Sequence, residues 1–193
     1  IAFSDGGKMQ DFCKNNNIEF IKIPSFHSPR ASFTSFLYSM LKVLGPVIPI
    51  NKSDVIESLE KMKEIRKKIS SAKHADENPA LELATWLPEI PVIYFPWGLE
   101  SAAIRFKNSL QENAKMHVIT EDVIESCHNG IVAWENDSVV QPILLQGFDD
   151  YVKTKERFLI IEQFFDDRQI DFLTVNSISG NIFSNCIEAN IKN

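Results

Sequence analysis

Between Arg105 and Lys115 the chain sets one carboxylate, Glu112, among the cations Arg105, Lys107 and Lys115 and the amides Asn108 and Asn113. Cys127-His128-Asn129-Gly130 follows, with His128 sixteen positions beyond Glu112. A carboxylate within reach of two adjacent carbons can take a proton from one and return it to the other. An imidazole that titrates near neutrality can carry a proton to and from a ring oxygen, and fixed cations can hold a phosphate or an enediolate charge. Each group also has a plainer reading. A loop carboxylate is more often simply solvated, and an imidazolium near a helix C-terminus is a common cap.

The elements that must position these groups read as repeated strand, turn and helix. Residues 1–3 enter a strand, Ser4-Asp5-Gly6-Gly7 turns, a helix covers 8–14 and a second strand covers 18–23. That unit belongs to a parallel sheet. Glycines at a strand-to-helix turn let a phosphate approach main-chain amides, although an ordinary tight turn has the same composition. Pro29-Arg30-Ala31 opens an apolar helix to about 43, which Gly45-Pro46 ends. Arg30 stands in its first turn, where the helix dipole disfavours a cation. An anionic partner or a surface ion pair would each account for it.

An amphipathic helix follows over 53–71, with Val55, Leu59, Met62, Ile65 and Ile69 on one stripe and Glu57/Lys61 and Glu64/Lys68 on the wet side. The polar segment ending at Pro79 marks the best domain boundary. Asn78 and Pro79 then cap a helix to 87, which Pro88 stops. Residues 91–95 form a buried strand, Pro96-Trp97-Gly98 its exit turn, and 99–110 a helix with Ala102, Ala103 and Phe106 towards the sheet. A short strand is expected at 116–119, with His117 packed inside it. Thr120 is expected to cap a helix closed by Asn129-Gly130. Further on, 139–145 is a strand whose Pro142 implies an edge or a bulge, 148–165 is mostly helix and 170–175 a strand. The tail beyond 176 carries at best a short helix from about 180.

Composition sets outer limits. The 193 residues are 44% hydrophobic and 24% charged, with a formal net charge of -6, as in an ordinary globular protein. No basic block stands out to neutralise nucleic-acid phosphates. Cys13, Cys127 and Cys186 are odd in number and widely spaced, which fits a reducing cytoplasm and supplies neither a metal framework nor a zinc-ligand spacing. No apolar run has membrane-spanning length. Neither G-x-G-x-x-G nor a P-loop occurs, as a nucleotide-binding domain would need. The opening Ile1-Ala2-Phe3-Ser4 enters a strand directly and reads as a piece of a longer protein.

The run F-K-N-S-L-Q-E-N-A-K followed by C-H-N-G-I-V-A-W-E resembles the signature of the bifunctional phosphoglucose/phosphomannose isomerases, which are built from two SIS (sugar isomerase) domains. The resemblance extends from about Ser4 to about Asp171 and is most specific between Pro91 and Glu135. It implies an α/β fold of doubly wound, flavodoxin-like parallel sheets. Residues 1–50 would be the end of a first SIS domain, 51–78 a connecting helix and linker, and 79–193 a second SIS domain with a divergent C-terminus. It implies interconversion of glucose 6-phosphate, and of mannose 6-phosphate, with fructose 6-phosphate, with Glu112 as base and His128 opening the sugar ring across the interface of a homodimer. Arg30, in a matching P-R-A, would stabilise the enediolate. Ser4, Gly6 and Gly7, in a similar S-x-G-G turn, and Arg105 or Lys107 would serve the phosphate, secondary to a serine- and threonine-rich loop that precedes this segment in the family. No metal or cofactor is implied, nor a nucleic-acid or membrane partner, and the setting is the cytoplasm. A non-catalytic SIS domain that only binds sugar phosphates is the alternative, and it would have no use for Glu112 and His128 together.

Overall fold

A computed structural model describes residues 1–26, 29–74, 77–87 and 89–177, with the side chains of Pro29 and Arg30 outside the description. Two compact units divide the chain at Asn51. In the first, β1 (Ala2–Ser4) pairs in parallel with β2 (Phe20–Lys22), and α1 (Gly7–Asn15) makes the crossover between them. Its small core includes the buried Cys13 and Ile23. A 3-10 turn over Pro29–Ser32 leads into α2 (Phe33–Leu44), so the expected single helix begins as two kinds of turn.

The second unit starts with α3 (Lys52–Lys68), where Lys61 pairs with Glu64 at 3.3 Å on an exposed face. The helix α4 (Pro79–Trp86) follows, and the buried Asn78 accepts from the Ala80 amide at 3.1 Å as its cap. Four parallel strands then form one sheet in the order β4-β3-β5-β6. They are β3 (Ile90–Phe95), β4 (Ile119–Asp122), β5 (Val140–Gln146) and β6 (Leu173–Asn176). Parallel strands demand crossovers, and a sheet crossed on both faces must be apolar on both. Strand β3 obeys: Ile93 and Phe95 pack on one side with Leu99, Ala102, Ala103 and Phe106 of the segment around α5 (Glu100–Ser109). Val92 and Tyr94 pack on the other with Trp134 and with Phe158, Ile161 and Phe165 of α7 (Val152–Asp167).

Pro142 does not make β5 an edge strand, because β5 lies between β3 and β6. It is tolerated because the ladder to β6 starts one residue later, at Ile143↔Leu173. Pro91 repeats the device: β3 pairs with β5 at Pro91↔Gln141, but with β4 only from Val92↔Ile119. Each proline therefore sits where its strand has a neighbour on one side alone, which is the position that a missing donor allows.

The region before the next helix departs from expectation. Strand β4 begins at Ile119 rather than 116, and His117 is exposed ahead of it rather than packed in a strand. Thr120 is not a cap, since pairing to β3 extends through Tyr94↔Glu121 and Phe95↔Asp122. Asp122 is the cap instead, accepting from the amides of Ile124 at 2.8 Å and Glu125 at 3.2 Å. The helix it starts, α6 (Val123–Ser126), is one turn long, and a 3-10 segment over Gly130–Glu135 follows it. The expected stop at Pro88, the tail helix, Cys186 and His27 lie outside the described residues.

Phe165 is fully buried between Trp134, with ring centroids 5.3 Å apart at a steep angle, and Phe172 at 5.7 Å. Phe165→Ala should lower unfolding stability by about 3–5 kcal/mol. Urea unfolding measures it, and a loss under about 1 kcal/mol would show that this face of the sheet is not a packed core.

Candidate functional site

The Ser4-Asp5-Gly6-Gly7 turn leaves the carboxyl end of β1. The Ser4 hydroxyl donates to the Gly6 carbonyl at 3.1 Å and accepts from the Gly6 amide at 3.2 Å, closing the turn locally. Gly6 and Gly7 take φ of 137° and 63°, values that side-chain-bearing residues rarely adopt. A cavity of about 350 Å³ opens beside them, lined among others by Phe3, Ser4, Asp5, Ile23, Ser25 and Ser32. It lies beyond the carboxyl ends of β1 and β2, where open parallel sheets bind ligands. Of the three turn residues Ser4 lines this hollow of the first unit, and Gly6 and Gly7 follow it in the turn without being among the lining residues. Arg30 belongs to the same unit, in the 3-10 turn ahead of α2.

In the second unit, α5 carries Arg105 and Lys107, both partly buried. Burial lowers the Arg105 pKa from its ordinary value. After Ser109 the helix widens into a π turn over Leu110–Ala114, with the exposed Glu112 at its centre. Such turns recur at functional sites. Lys115 ends it in the left-handed region, at φ 61°. Its ammonium donates to the main-chain oxygen of Glu112 at 2.6 Å.

His128 stands past the other end of β4. Its own amide donates to the Glu125 carbonyl at 2.9 Å, and the Asn129 side chain donates to the Glu125 carboxylate at 3.2 Å. The imidazole is exposed. Because α5 runs back against the strands, the π turn precedes β4 at its amino end, whereas His128 follows its carboxyl end. Four strand residues, about 13 Å of backbone, lie between. One copy of the unit therefore places Glu112 and His128 at opposite ends of the same strand.

Glu121 stands near the carboxyl end of β4. Its carboxyl lies against Gly130, where an added Cβ would stand 2.7 Å from Oε2. Gly130 is needed for this close approach. The same carboxyl lines a hollow of about 170 Å³ with Tyr94, Trp134 and Ser138. Burial raises its pKa, and the charges of Glu125 and Asp122 raise it further. Beneath it the Tyr94 hydroxyl accepts from the Trp134 indole at 2.9 Å, and burial above all pushes its pKa up to about 12. Three carboxylates within five residues, at 121, 122 and 125, were the available clue.

The reversal of strand order falls between β3 and β5, and this arrangement defines a doubly wound α/β domain. It is similar to the crystal structure of a glucose-6-phosphate isomerase like protein from Thermus thermophilus, with a TM-score of 0.66 and 17% identity over 91% of this chain and 61% of that one. A candidate phosphosugar isomerase from Salmonella typhimurium gives a TM-score of 0.62 and 12% identity over 98% and 61%.

The family described as the bacterial phospho-glucose isomerase C-terminal SIS domain matches residues 76–189, and the chain belongs to it. It is 31% identical over 168 residues to the bifunctional phosphoglucose/phosphomannose isomerase of Caldicellulosiruptor bescii, covering 81% of this chain and 49% of the relative. With the protein of the same description from Aquifex aeolicus it shares 25% over 170 residues, covering 86% and 50%. The chain thus spans about half the length of the curated relatives it matches.

A carboxyl whose folded-state pKa is raised stabilises the fold only while protonated, and that contribution is lost as pH climbs through the raised value. Glu121→Gln keeps the shape and removes the charge. It should melt at a higher temperature than the parent at pH 8, with the gap closing towards pH 4. Melting curves that differ equally at both pH values would contradict the charge account.

Proposed function

We propose that this chain is part of an aldose-ketose isomerase that interconverts glucose 6-phosphate, and mannose 6-phosphate, with fructose 6-phosphate through a cis-enediol, without a metal or cofactor. What supports the reading is that the family match, over 76–189, contains both Glu112 and His128. His128 protonates the ring oxygen as the bond from that oxygen to C1 breaks and the C1 hydroxyl gives up its proton, leaving the open aldehyde. Glu112 removes the proton from C2, the electrons form a C1–C2 double bond, and the C1 oxygen takes a proton. Returning the first proton to C1 while the C2 hydroxyl loses its own yields the ketose. The enediolate charge goes to Arg30. For the phosphate the resemblance points first to the serine- and threonine-rich loop that precedes this segment in the family, with Ser4, Gly6 and Gly7 and Arg105 or Lys107 secondary to it.

The second part of the reading is a homodimer in which His128 of one copy serves Glu112 of the other. The opposite placement of the two residues about β4 supports it, because sharing one substrate within a single copy would require bridging the strand.

In the intact protein, Glu112→Gln should lower kcat by at least ~10²-fold in a coupled assay for fructose 6-phosphate, the usual scale for loss of a general base. Parent-like turnover would remove Glu112 from the mechanism. Saturable binding of sugar phosphate by a parent that never turns over would favour the binding-only alternative.

The dimer has its own test. Glu112→Gln and His128→Ala each inactivate every site of their own homodimer. A randomly mixed pair, half of it heterodimer with one intact site in two, should regain about a quarter of parental activity. Mixtures that stay inactive after subunit exchange would place both residues in one copy's site.

A further inference from the structure

Lys115 adopts a conformation that glycine or asparagine would take more easily, at φ 61° and ψ 29°. Asn17 and Gln169 take positive φ beyond α1 and α7, so the conformation alone marks nothing. What sets Lys115 apart is its side chain, which folds back over the π turn so that Nζ meets the Glu112 oxygen at 2.6 Å. The turn is tied a second time, since the Asn113 side-chain amide donates to the Ser109 main-chain oxygen at 2.9 Å. We propose that Lys115 is a positioning residue for Glu112: its ammonium clamps the main chain at Glu112 and fixes the direction from which that side chain leaves the π turn.

The inference rests on Glu112 being the base, as proposed above. A helix end closed in the left-handed region gains most from glycine, because a side chain there is strained by its own Cβ. A lysine in that place gives up conformational ease, and what it supplies in return is an ammonium on a four-carbon stem. A hydrogen bond to the main chain of Glu112 acts on the backbone that carries the side chain and not on the carboxylate itself.

Two variants of the intact protein separate aiming from simple capping. Lys115→Gly relaxes the backbone and removes the ammonium, and Lys115→Asn keeps a residue that tolerates the left-handed region without it. The glycine variant should melt no lower than the parent and up to about 4 °C higher. Both variants should lose about 10-fold or more in kcat, with KM held within about twofold. Loss of activity together with a lower melting temperature in the glycine variant would overturn the proposal in favour of a structural cap. Parent-like kcat in both would overturn it outright. Should the parent show no isomerase activity, the reading of function fails, and the clamp is judged by hydrogen exchange alone. The amides of residues 112–115 should exchange faster in Lys115→Asn, and unchanged exchange would overturn the clamp.

Discussion

Everything in the second unit follows from strand β3 being buried on both faces. A strand that hides Ile93 and Phe95 on one side and Val92 and Tyr94 on the other requires helical cover above and below. Its parallel neighbours can be reached only by helices that run back along the sheet. Thus α5 carries the chain from the carboxyl end of β3 to the amino end of β4, and its own end falls there. The segment after β4 begins at the opposite edge. The separation of Glu112 from His128 is a consequence of the crossover rule rather than of either residue's surroundings.

The two ends of β4 are built by different means. At the amino end the helix does not stop cleanly but widens into a π turn closed by a left-handed lysine. At the carboxyl end a one-turn helix is held by Asp122 at its start, by the Glu125–Asn129 side-chain bond across its exit and by the Glu121 carboxyl seated on Gly130. The π turn runs on from the ten-residue α5, whereas the helix after Asp122 is a single turn whose shape leans on these side-chain bonds.

The apolar skeleton was legible in the residues and the polar margins were not. Pro91 to Phe95 announces a buried strand, and Asn78-Pro79 announces a helix start, because both signals are local and undiluted. Strand β4 gives no such signal: Ile119-Thr120-Glu121-Asp122 is a polar edge strand that exists by pairing to β3, and charged edges are how sheets limit further pairing. The apolar Met116 and Val118 drew the expected strand towards them, yet Met116 and Val118 pack on the core from irregular backbone. The residue types of the candidate site could be read from the run around Glu112 and His128. The destination of the Lys115 ammonium could not, since proximity in sequence points to the Glu112 carboxylate and the folded turn offers the main-chain oxygen.

Charge is distributed unevenly along β4 in a way that bears on the dimer proposed above. Arg105, Lys107 and Lys115 gather on the helix and turn at its amino end, while Glu121, Asp122 and Glu125 gather at its carboxyl end with His128 among them. An anionic sugar phosphate approaching a single copy is drawn to the first end and repelled from the second. At physiological salt such attraction fades within about 8 Å, so for the proposed substrate the net charge of -6 would matter less than the local cations. Were the carboxyl end of one copy to meet the amino end of another, as the proposed dimer requires, carboxylates would face cations twice over, once for each symmetry-related contact. In the proposed dimer that pairing would partly offset the like-charge crowding that raises the Glu121 pKa, and it would bring an imidazole to a carboxylate that its own chain holds a strand's length away.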